Sequence, residues 1–191
     1  MLTLLRLTPA LLARLHPISD ASLAGEEVVL RIGRSGFSLG YVPLDKAQWR
    51  SFPPPGRADP AAIAARNDAA AYAAFSEESL AGLVCMIFDG DSAWTDIADL
   101  RVDAAFRRQG VASALLRACE DASRERGMKG LRMAVPDSNP AACQFCEHCC
   151  FTLQGIDRFA LLHTPSERGK PAAARACALL FYRPHQKGWG I

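Results

Sequence analysis

The sequence predicts a single α/β domain in which helices pack on a sheet of largely consecutive strands. Three observations favour this class. Half of the 191 residues are hydrophobic and 22% are charged, which is the composition of a globular protein with a core. Residues 80–88 and 92–102 have the clearest hairpin pattern, around an Asp-Gly-Asp turn. Beyond residue 100 the pattern alternates strand, helix, strand, helix, strand, and no linker divides the chain.

The composition excludes several classes of protein. Lys plus Arg (22) and Asp plus Glu (20) leave a net charge of +2, so the total charge implies no nucleic-acid partner. The longest apolar stretch, residues 80–88, is too short to span a bilayer, and we expect no membrane partner. Seven cysteines, four of them within residues 143–150, are an odd count for a secreted disulfide framework. We therefore expect a cytoplasmic protein with reduced thiols.

The first half of the chain has the less regular pattern. Residues 1–15 predict a strand and then an amphipathic helix that begins at Thr8, in preference to a targeting peptide. The other elements predicted in this half are two short strands within 27–43 with a turn at 34–36, an irregular Pro-rich loop at 52–56, and a helix over the Ala-rich residues 60–75.

The second half is more regular. Apolar residues recur every three or four positions over 111–126 and define one face of a helix, made of Val111, Ala114, Leu115, Ala118, Cys119 and Ala122. Gly127 is placed to close this helix. The other predicted elements are a strand at 130–135, a helix from the N-cap Asn139 to about 150, and strands at 151–162 and 175–182.

The strongest local signal lies where a strand ending at Val102 is followed by Phe-Arg-Arg-Gln-Gly-Val-Ala at 106–112. Gly110 has no side chain, so the backbone N–H groups at the start of the helix can approach an anion. Arg107 and Arg108 add guanidinium groups able to bind phosphate. The nucleotide P-loop and the three-glycine dinucleotide pattern are both absent. The segment indicates a pyrophosphate site or, as the plain alternative, a surface helix start that carries arginines.

The segment Arg-Arg-Gln-Gly-Val-Ala resembles the Arg/Gln-x-x-Gly-x-Gly/Ala signature of the GNAT superfamily of acyl-CoA-dependent N-acetyltransferases. The order around it is also similar: a strand ending in Leu-Arg-Val, a helix, a strand, and then Asn-Pro-Ala-Ala-Cys-Gln-Phe at 139–145. The resemblance covers roughly residues 80–182. Within the superfamily the chain looks most like the streptothricin acetyltransferases, because of residues 70–75, 80–84, 138–143 and 155–162.

This resemblance implies a twisted, mostly antiparallel sheet with splayed central strands and helices on both faces. It implies one N-acetyltransferase domain, with an acceptor-side half at 1–92, an acetyl-CoA-binding core at 93–165 and a C-terminal strand and tail at 166–191. The implied reaction transfers an acetyl group from acetyl-CoA to a primary amine of a small molecule, such as a streptothricin-like or aminoglycoside-like antibiotic, by direct attack. The enzyme would be bacterial, monomeric or homodimeric, and would use no metal. The main alternative is an acyl-CoA-binding module that has lost catalysis.

The resemblance also assigns roles to individual residues. Asn139 matches a residue that contacts the pantetheine arm or orders the loop, although a helix cap alone is the plainer interpretation. The residues matched to cofactor binding are Leu100, Arg101 and Val102 on the strand, Arg107, Arg108, Gln109, Gly110, Val111, Ala112 and Ser113 in the loop, and Asn139, Ala142 and Phe145 on the following helix.

Two residues are candidates for catalysis. Cys146 stands where these enzymes usually have the Tyr that protonates the leaving thiolate, and it is equally a small apolar filler. Asp99 is the candidate acceptor of the proton from the amine, with a solvated strand-end carboxylate as the alternative. Strand alternation predicts that Asp99 shares a face with Ile97 and Arg101, and that Asp96 points the other way with Leu100.

Other departures from the family concern the second half of the chain. Cys150 replaces a Gly at the left-handed exit of the helix, which costs a residue with a Cβ about 1 kcal/mol. Residues 133–136 are Met-Ala-Val-Pro, where the streptothricin enzymes carry an acidic residue and a polar run. The cysteine cluster at 143–150 could suggest zinc or a redox sensor, but all its members lie on one short helix and no second Cys-x-x-Cys pair exists. We expect no metal.

Overall fold

The computed structural model describes residues 1–13, 15–19, 21–34, 36–52, 58–160 and 176–185. The chain divides into two compact units, unit 1 (1–19, 54–132 and 184–191) and unit 2 (20–53 and 133–183). The elements in chain order are β1 (Leu2–Arg6), α1 (Pro9–Leu12), β2 (Ala21–Gly33), β3 (Gly36–Ser51), α2 (Pro60–Ala64), β4 (Ala69–Ser76), β5 (Ser79–Asp89), β6 (Trp94–Val102), α3 (Val111–Glu125), β7 (Gly130–Pro136), α4 (Pro140–His148), β8 (Thr152–Asp157) and β9 (Ala178–Pro184).

Unit 1 is built on an antiparallel sheet with the strand order β1-β4-β5-β6. The first residues of β7 add to it in parallel, through the pairs Thr95 with Leu131 and Asp96 with Arg132. One face of the sheet carries the buried cluster that includes Ala71, Cys85 and Ile63 of α2. The other face packs against α3, where the buried hydroxyls of Thr95 and Ser123 are 2.7 Å apart. The prediction of helices on both faces of a mostly antiparallel sheet is confirmed in this unit.

The predicted helix over 60–75 is wrong beyond its first turn. The helix α2 ends at Ala64, and Arg66 turns back to bind the Asp68 carboxylate, with Nε 2.8 Å from Oδ1. Residues 69–76 then form β4, which pairs with β1 on one side and β5 on the other. Alanine favours helix in isolation, but six of these eight residues are buried, and their small side chains fit a central strand covered on both faces.

Unit 2 contains the hairpin of β2 and β3, a two-stranded ribbon. The hairpin predicted at 27–43 is confirmed, but its strands are much longer, because pairing continues outward to Ala21 and Ser51 across an irregularity between Ala24 and Glu26. The unit also contains α4 and the strands β9 and β8, which pair antiparallel beside the second half of β7.

Most other predicted elements are confirmed. The first strand is followed by α1, with Thr8 as its N-cap, and Gly127 after α3 has a φ of +68°. The hairpin of β5 and β6, the helices α3 and α4, and the strand β7 lie within a few residues of their predicted bounds. The predicted strands at 151–162 and 175–182 correspond to β8 and β9, while residues 161–175, like most of the Pro-rich loop at 52–56, lie outside the described residues. No helix in the described ranges is both long and apolar enough to cross a membrane.

Gly82 on β5 is a point of close approach between the sheet of unit 1 and α3. A Cβ at this position would lie 2.8 Å from the carbonyl oxygen of Arg101, 2.9 Å from Val111 Cγ1 and 3.0 Å from Leu115 Cδ1. The absence of a side chain therefore allows the first turn of α3 to pack on the end of β6.

We expect Gly82→Ala to lower the free energy of unfolding by about 1–3 kcal/mol, because the added methyl group overpacks this contact. Gly90→Ala is the matched control, since a Cβ at Gly90 meets nothing within 4 Å and should change stability by less than about 0.5 kcal/mol. Urea unfolding of the three proteins measures both effects. Equal stability of the two variants would contradict the close contact that we assign to Gly82.

Candidate functional site

The loop between β6 and α3 has the backbone of an anion site. Asp103 begins it, with its carboxylate accepting a hydrogen bond from the N–H of Ala105 at 3.0 Å. Arg108 and Gly110 both lie in the left-handed region, with φ of +62° and +81°. Gly110 is the N-cap of the 15-residue helix α3 and makes no side-chain capping bond. The first-turn N–H groups of a helix have no acceptor within the helix and carry partial positive charge, so this end of α3 suits an anion.

The side chains of this loop differ in whether they are hydrogen-bonded to the rest of the chain. Arg107 is partly buried, and its Nε donates to the carbonyl oxygen of Val102 at 3.2 Å, which ties the loop to the end of β6. Gln109 Nε2 donates to the carbonyl of Ala105 at 2.9 Å. The Arg108 guanidinium forms no hydrogen bond or ion pair with the described part of the chain. The two arginines predicted to bind an anion therefore differ, one fixed to the strand and one open.

The strand β6 has an irregularity that sequence alternation does not predict. Cys85 on β5 pairs with Asp99, and the adjacent Met86 pairs with Ile97, so Ala98 is an extra residue, a β-bulge. Neighbouring residues on β5 point to opposite faces, and their partners do the same. The prediction that Asp99 shares a face with Ile97 is therefore wrong, while its shared face with Arg101 is confirmed.

The same bulge corrects the prediction for Asp96. Asp96 pairs with Ile87, whereas Leu100 pairs with Val84, three residues away along β5. Asp96 and Leu100 thus lie on opposite faces, and Asp96 shares its face with Asp99. Both candidate carboxylates of β6 point to the face of the unit 1 sheet that carries Cys85.

Asp99 is held by a neighbouring cation. Arg101 Nε donates to Asp99 Oδ2 at 2.7 Å, and the side chains of Asp99 and Arg101 are 12% and 14% exposed. Burial raises the pKa of the Asp99 carboxyl above its ordinary value, and the Arg101 guanidinium offsets part of that rise. A carboxylate with a raised pKa next to a strand end is suited to accept a proton.

Asp96 has a different environment. Arg132 binds Asp96 through Nε and Nη2, and its Nη2 also donates to Asp89 Oδ2 at 2.7 Å. Ser92 joins the cluster and donates to Asp89 at 2.7 Å, and these hydrogen bonds lower the pKa of Asp89 to about 2. Sequence reasoning missed Arg132, because only the parallel register of β7 brings it beside Asp96.

The strand β6 continues beyond the residues that pair with β7. The ladder comprises two residue pairs and ends at Asp96, while β6 continues to Val102. Within the described part of unit 1, residues 97–102 of β6 pair with β5 on one side and with no strand on the other side. Backbone groups on such an edge can hydrogen-bond an extended ligand. This edge contains Leu100, Arg101 and Val102, three of the predicted binding residues.

In unit 2, the predicted residues lie on α4. Asn139 is the N-cap, and its Oδ1 accepts a hydrogen bond from the N–H of Ala142 at 3.1 Å, so its predicted capping role is confirmed. Phe145, like Ala142, is partly buried. The side chain of Cys146 is fully buried, with Sγ 3.8 Å from Met133 Sδ. Burial raises the pKa of the Cys146 thiol, so it keeps its proton at neutral pH.

Unit 2 also contains a polar pair that sequence reasoning missed. The hydroxyl of Tyr41 on β3 donates to Glu147 Oε2 of α4 at 2.6 Å. Burial and the hydrogen bond to this carboxylate raise the pKa of Tyr41 above its ordinary value. The two residues are far apart in the sequence and belong to no motif, so no sequence signal could have paired them.

The cysteine cluster is divided between the interior and the surface of unit 2. Cys143 and Cys146 are buried, and burial raises the pKa of Cys143 to about 12, whereas Cys150 is exposed. Cys150 has a φ of +60°, which confirms the predicted left-handed exit from α4. No group of three His, Cys, Asp or Glu residues within the described ranges is arranged to hold a metal ion.

The Asp99–Arg101 pair gives a testable pKa prediction. We expect Arg101→Met to raise the pKa of Asp99 further, because it removes the cation that favours the carboxylate and leaves the carboxyl buried. Titration of the Asp99 carboxyl carbon by NMR measures the shift. Arg66→Met, which removes the exposed partner of Asp68, is the control and should leave Asp99 unchanged. An unaltered Asp99 pKa in Arg101→Met would contradict the pairing.

The chain matches the family model described as acetyltransferase (GNAT) family over residues 41–151. It is 31% identical to the streptothricin acetyltransferase of Escherichia coli over 119 residues, which are 61% of this chain and 63% of that protein. It is 30% identical to the streptothricin acetyltransferase of Streptomyces lavendulae over 138 residues, 69% of this chain and 71% of that protein. The chain thus spans slightly less than two thirds of the first relative.

Two solved structures have the same fold along nearly the whole chain. A nourseothricin acetyltransferase superposes with a TM-score of 0.76 at 23% identity, covering 96% of this chain and 98% of its own. A candidate streptothricin acetyltransferase from Bacillus anthracis, solved in complex with acetyl coenzyme A, superposes with a TM-score of 0.82 at 17% identity, covering 97% and 98%. The predicted mixed α/β fold and the resemblance found in the motifs are confirmed: this chain belongs to the GNAT acetyltransferase family.

Proposed function

We propose that this chain transfers an acetyl group from acetyl-CoA to a primary amine of a small molecule, and that the acceptor is an antibiotic of the streptothricin class. The observation that carries the proposal is the loop at 107–113, with left-handed backbone at Arg108 and Gly110 and an uncapped helix start. The names of the two curated relatives support the acceptor class. The protein would work in a bacterial cytoplasm, where its seven cysteines stay reduced.

In this proposal the pyrophosphate of acetyl-CoA binds at the N-terminus of α3. The N–H groups of residues 110–113 donate to its oxygens, and Arg108 adds a charged donor that the fold leaves open. Arg107 keeps its bond to Val102 and fixes the distance between the loop and the end of β6. Residues 100–102 hydrogen-bond the pantetheine arm through their backbone. The motif match alone assigns Asn139, Ala142 and Phe145 to the same arm.

The acceptor amine must lose a proton before or during its attack on the thioester carbonyl. Asp99 is the proposed proton acceptor, directly or through a water molecule, because burial raises its pKa toward that of a working base. A backbone N–H near Val102 would polarise the carbonyl oxygen. The bond that forms is N–C, the bond that breaks is C–S, and no acyl-enzyme is required.

The leaving thiolate of coenzyme A needs a proton donor. Cys146 is proposed for this role by its position in the motif, and its burial keeps the thiol protonated at neutral pH. The contact of Cys146 with Met133 in the interior of unit 2 equally suits a packing role, so the two interpretations need separate variants.

Turnover of acetyl-CoA over a panel of amines tests the function. Release of free coenzyme A should be fastest with a streptothricin and slower with an aminoglycoside or free lysine, with mass spectrometry showing one acetyl group added to the antibiotic. The acyl-CoA-binding module without catalysis, favoured by the change of Tyr to Cys146, predicts binding of acetyl-CoA without release above the background hydrolysis. Turnover of no amine in the panel would contradict the proposal.

We expect Asp99→Asn to lower kcat by about 100-fold with little change in the KM for acetyl-CoA, because it removes the general base but leaves the loop intact. Asp68→Asn, at an exposed ion pair, is the control. Cys146→Ala should lower kcat by a similar factor, and Cys146→Thr, which keeps the bulk of the side chain but has a hydroxyl much less acidic than a thiol, should be as slow as Cys146→Ala. Circular dichroism confirms that each variant folds. Equal rates for Cys146→Ala and the wild type would assign Cys146 to packing.

A further inference from the structure

The ribbon of β2 and β3 has one edge that is open to another strand. In the part of the chain that the structure describes, β3 is the only strand that pairs with β2. The outer edge of β2 over 26–33 therefore carries backbone N–H and C=O groups that no other strand bonds. Apolar side chains on this stretch are also exposed, Val29 by 38% and Ile32 by 73%.

Proteins usually protect such an edge with Pro or Lys, and the two strands of this ribbon differ in that respect. The strand β3 contains Pro43 and Lys46, both exposed. The stretch 26–33 of β2 reads Glu-Glu-Val-Val-Leu-Arg-Ile-Gly and contains neither residue type. The edge of β2 is thus the one of the two that remains competent for pairing.

The charged residues of β2 are spaced so that two copies of this strand, paired antiparallel, can bring opposite charges together. Glu27 and Arg31 lie two positions on either side of Val29, so all three side chains share one face of the ribbon. Arg31 is exposed and has no ion pair with any described residue, while its guanidinium extends over Gly40. The side chain of Glu27 is 58% exposed, and among the described residues its carboxylate forms one ion pair, between Oε1 and Arg50 Nη2 at 3.4 Å.

We propose that two copies of this chain associate by antiparallel pairing of their β2 edges about a two-fold axis at Val29. This register places Val29 opposite Val29 of the second copy. It also places Glu27 opposite Arg31 of the second copy, once on each side of the axis, because a two-fold axis generates every contact twice. Opposite charges directly across an antiparallel pair stabilise it, and like charges destabilise it.

The size of the contact predicts its strength. Seven residues from each copy, 26–32, take part in the pairing, a smaller surface than a permanent dimer buries. We therefore expect a reversible equilibrium of monomer and dimer that depends on protein concentration. The pairing involves neither the loop at 107–113 nor Asp99, so it does not rest on the proposed reaction.

Two self-repelling variants test the register. In Arg31→Glu, two carboxylates face each other at both symmetric positions, and in Glu27→Lys two cations do so. Sedimentation equilibrium of the full chain should show a dissociation constant at least about tenfold higher for each variant alone. Lys46→Glu, a change from cation to carboxylate on β3, is the matched control and should associate like the wild type.

An equimolar mixture of the two self-repelling variants should associate again. On one side of the axis, the carboxylate introduced at position 31 of one variant faces the ammonium group introduced at position 27 of the other. On the other side, the unchanged Glu27 of the first variant faces the unchanged Arg31 of the second. Both positions therefore pair opposite charges, as in the wild type.

Recovery of association in the mixture alone supports the proposed register and shows that both variants are folded. A wild-type chain that remains monomeric up to about 1 mM, far above the range of a useful affinity, would overturn the proposal. Variants that associate as the wild type does, or a mixture that fails to recover, would also overturn it.

Discussion

The contact at Gly82 connects the sheet of unit 1 to the loop that we propose binds acetyl-CoA. Because Gly82 has no side chain, Val111 and Leu115 approach the backbone of β5, and the first turn of α3 lies against the carbonyl end of β6. Arg107 adds a second contact between the loop and β6, because its Nε donates to the carbonyl oxygen of Val102. The N–H groups at the start of α3 are therefore held at a fixed distance from the strand edge at 97–102. A helix terminus placed by loops alone would lack this rigidity.

The second constraint is that the two carboxylates on β6 pair with different arginines. The bulge at Ala98 turns Asp96 and Asp99 to the same face, yet each has its own arginine. Asp96 is bound by Arg132, which also holds Asp89, and this cluster connects the hairpin of β5 and β6 to β7. Asp99 has only Arg101 as its ion-pair partner among the described residues, and burial leaves its pKa raised. The two carboxylates therefore have different environments, and we propose a chemical role for Asp99 alone.

Local patterns in the sequence were sufficient to predict the elements to which we assign cofactor binding. The period of α3, the Gly at 110, the Asn cap of α4 and the left-handed Cys150 are all determined by neighbours within a few residues. The Ala-rich stretch at 69–76 could not be predicted in this way, because pairing with β1 and β5 overrides helix propensity there. The bulge at Ala98, which reverses the faces of the preceding residues, likewise has no local signal. Ion pairs between distant strands, such as Arg132 with Asp96, require the register of the sheet.

The central claim is that the loop at 107–113 binds the pyrophosphate of acetyl-CoA, and calorimetric titration measures it most directly. Acetyl-CoA should bind the wild type with micromolar affinity. The double variant Arg107→Ala, Arg108→Ala should bind at least about tenfold more weakly, because it loses both the charged donor of Arg108 and the Arg107 bond that ties the loop to β6. Arg117→Ala, an exposed arginine farther along α3, should bind like the wild type. Undetectable binding to the wild type, or equal binding to the double variant, would contradict the account.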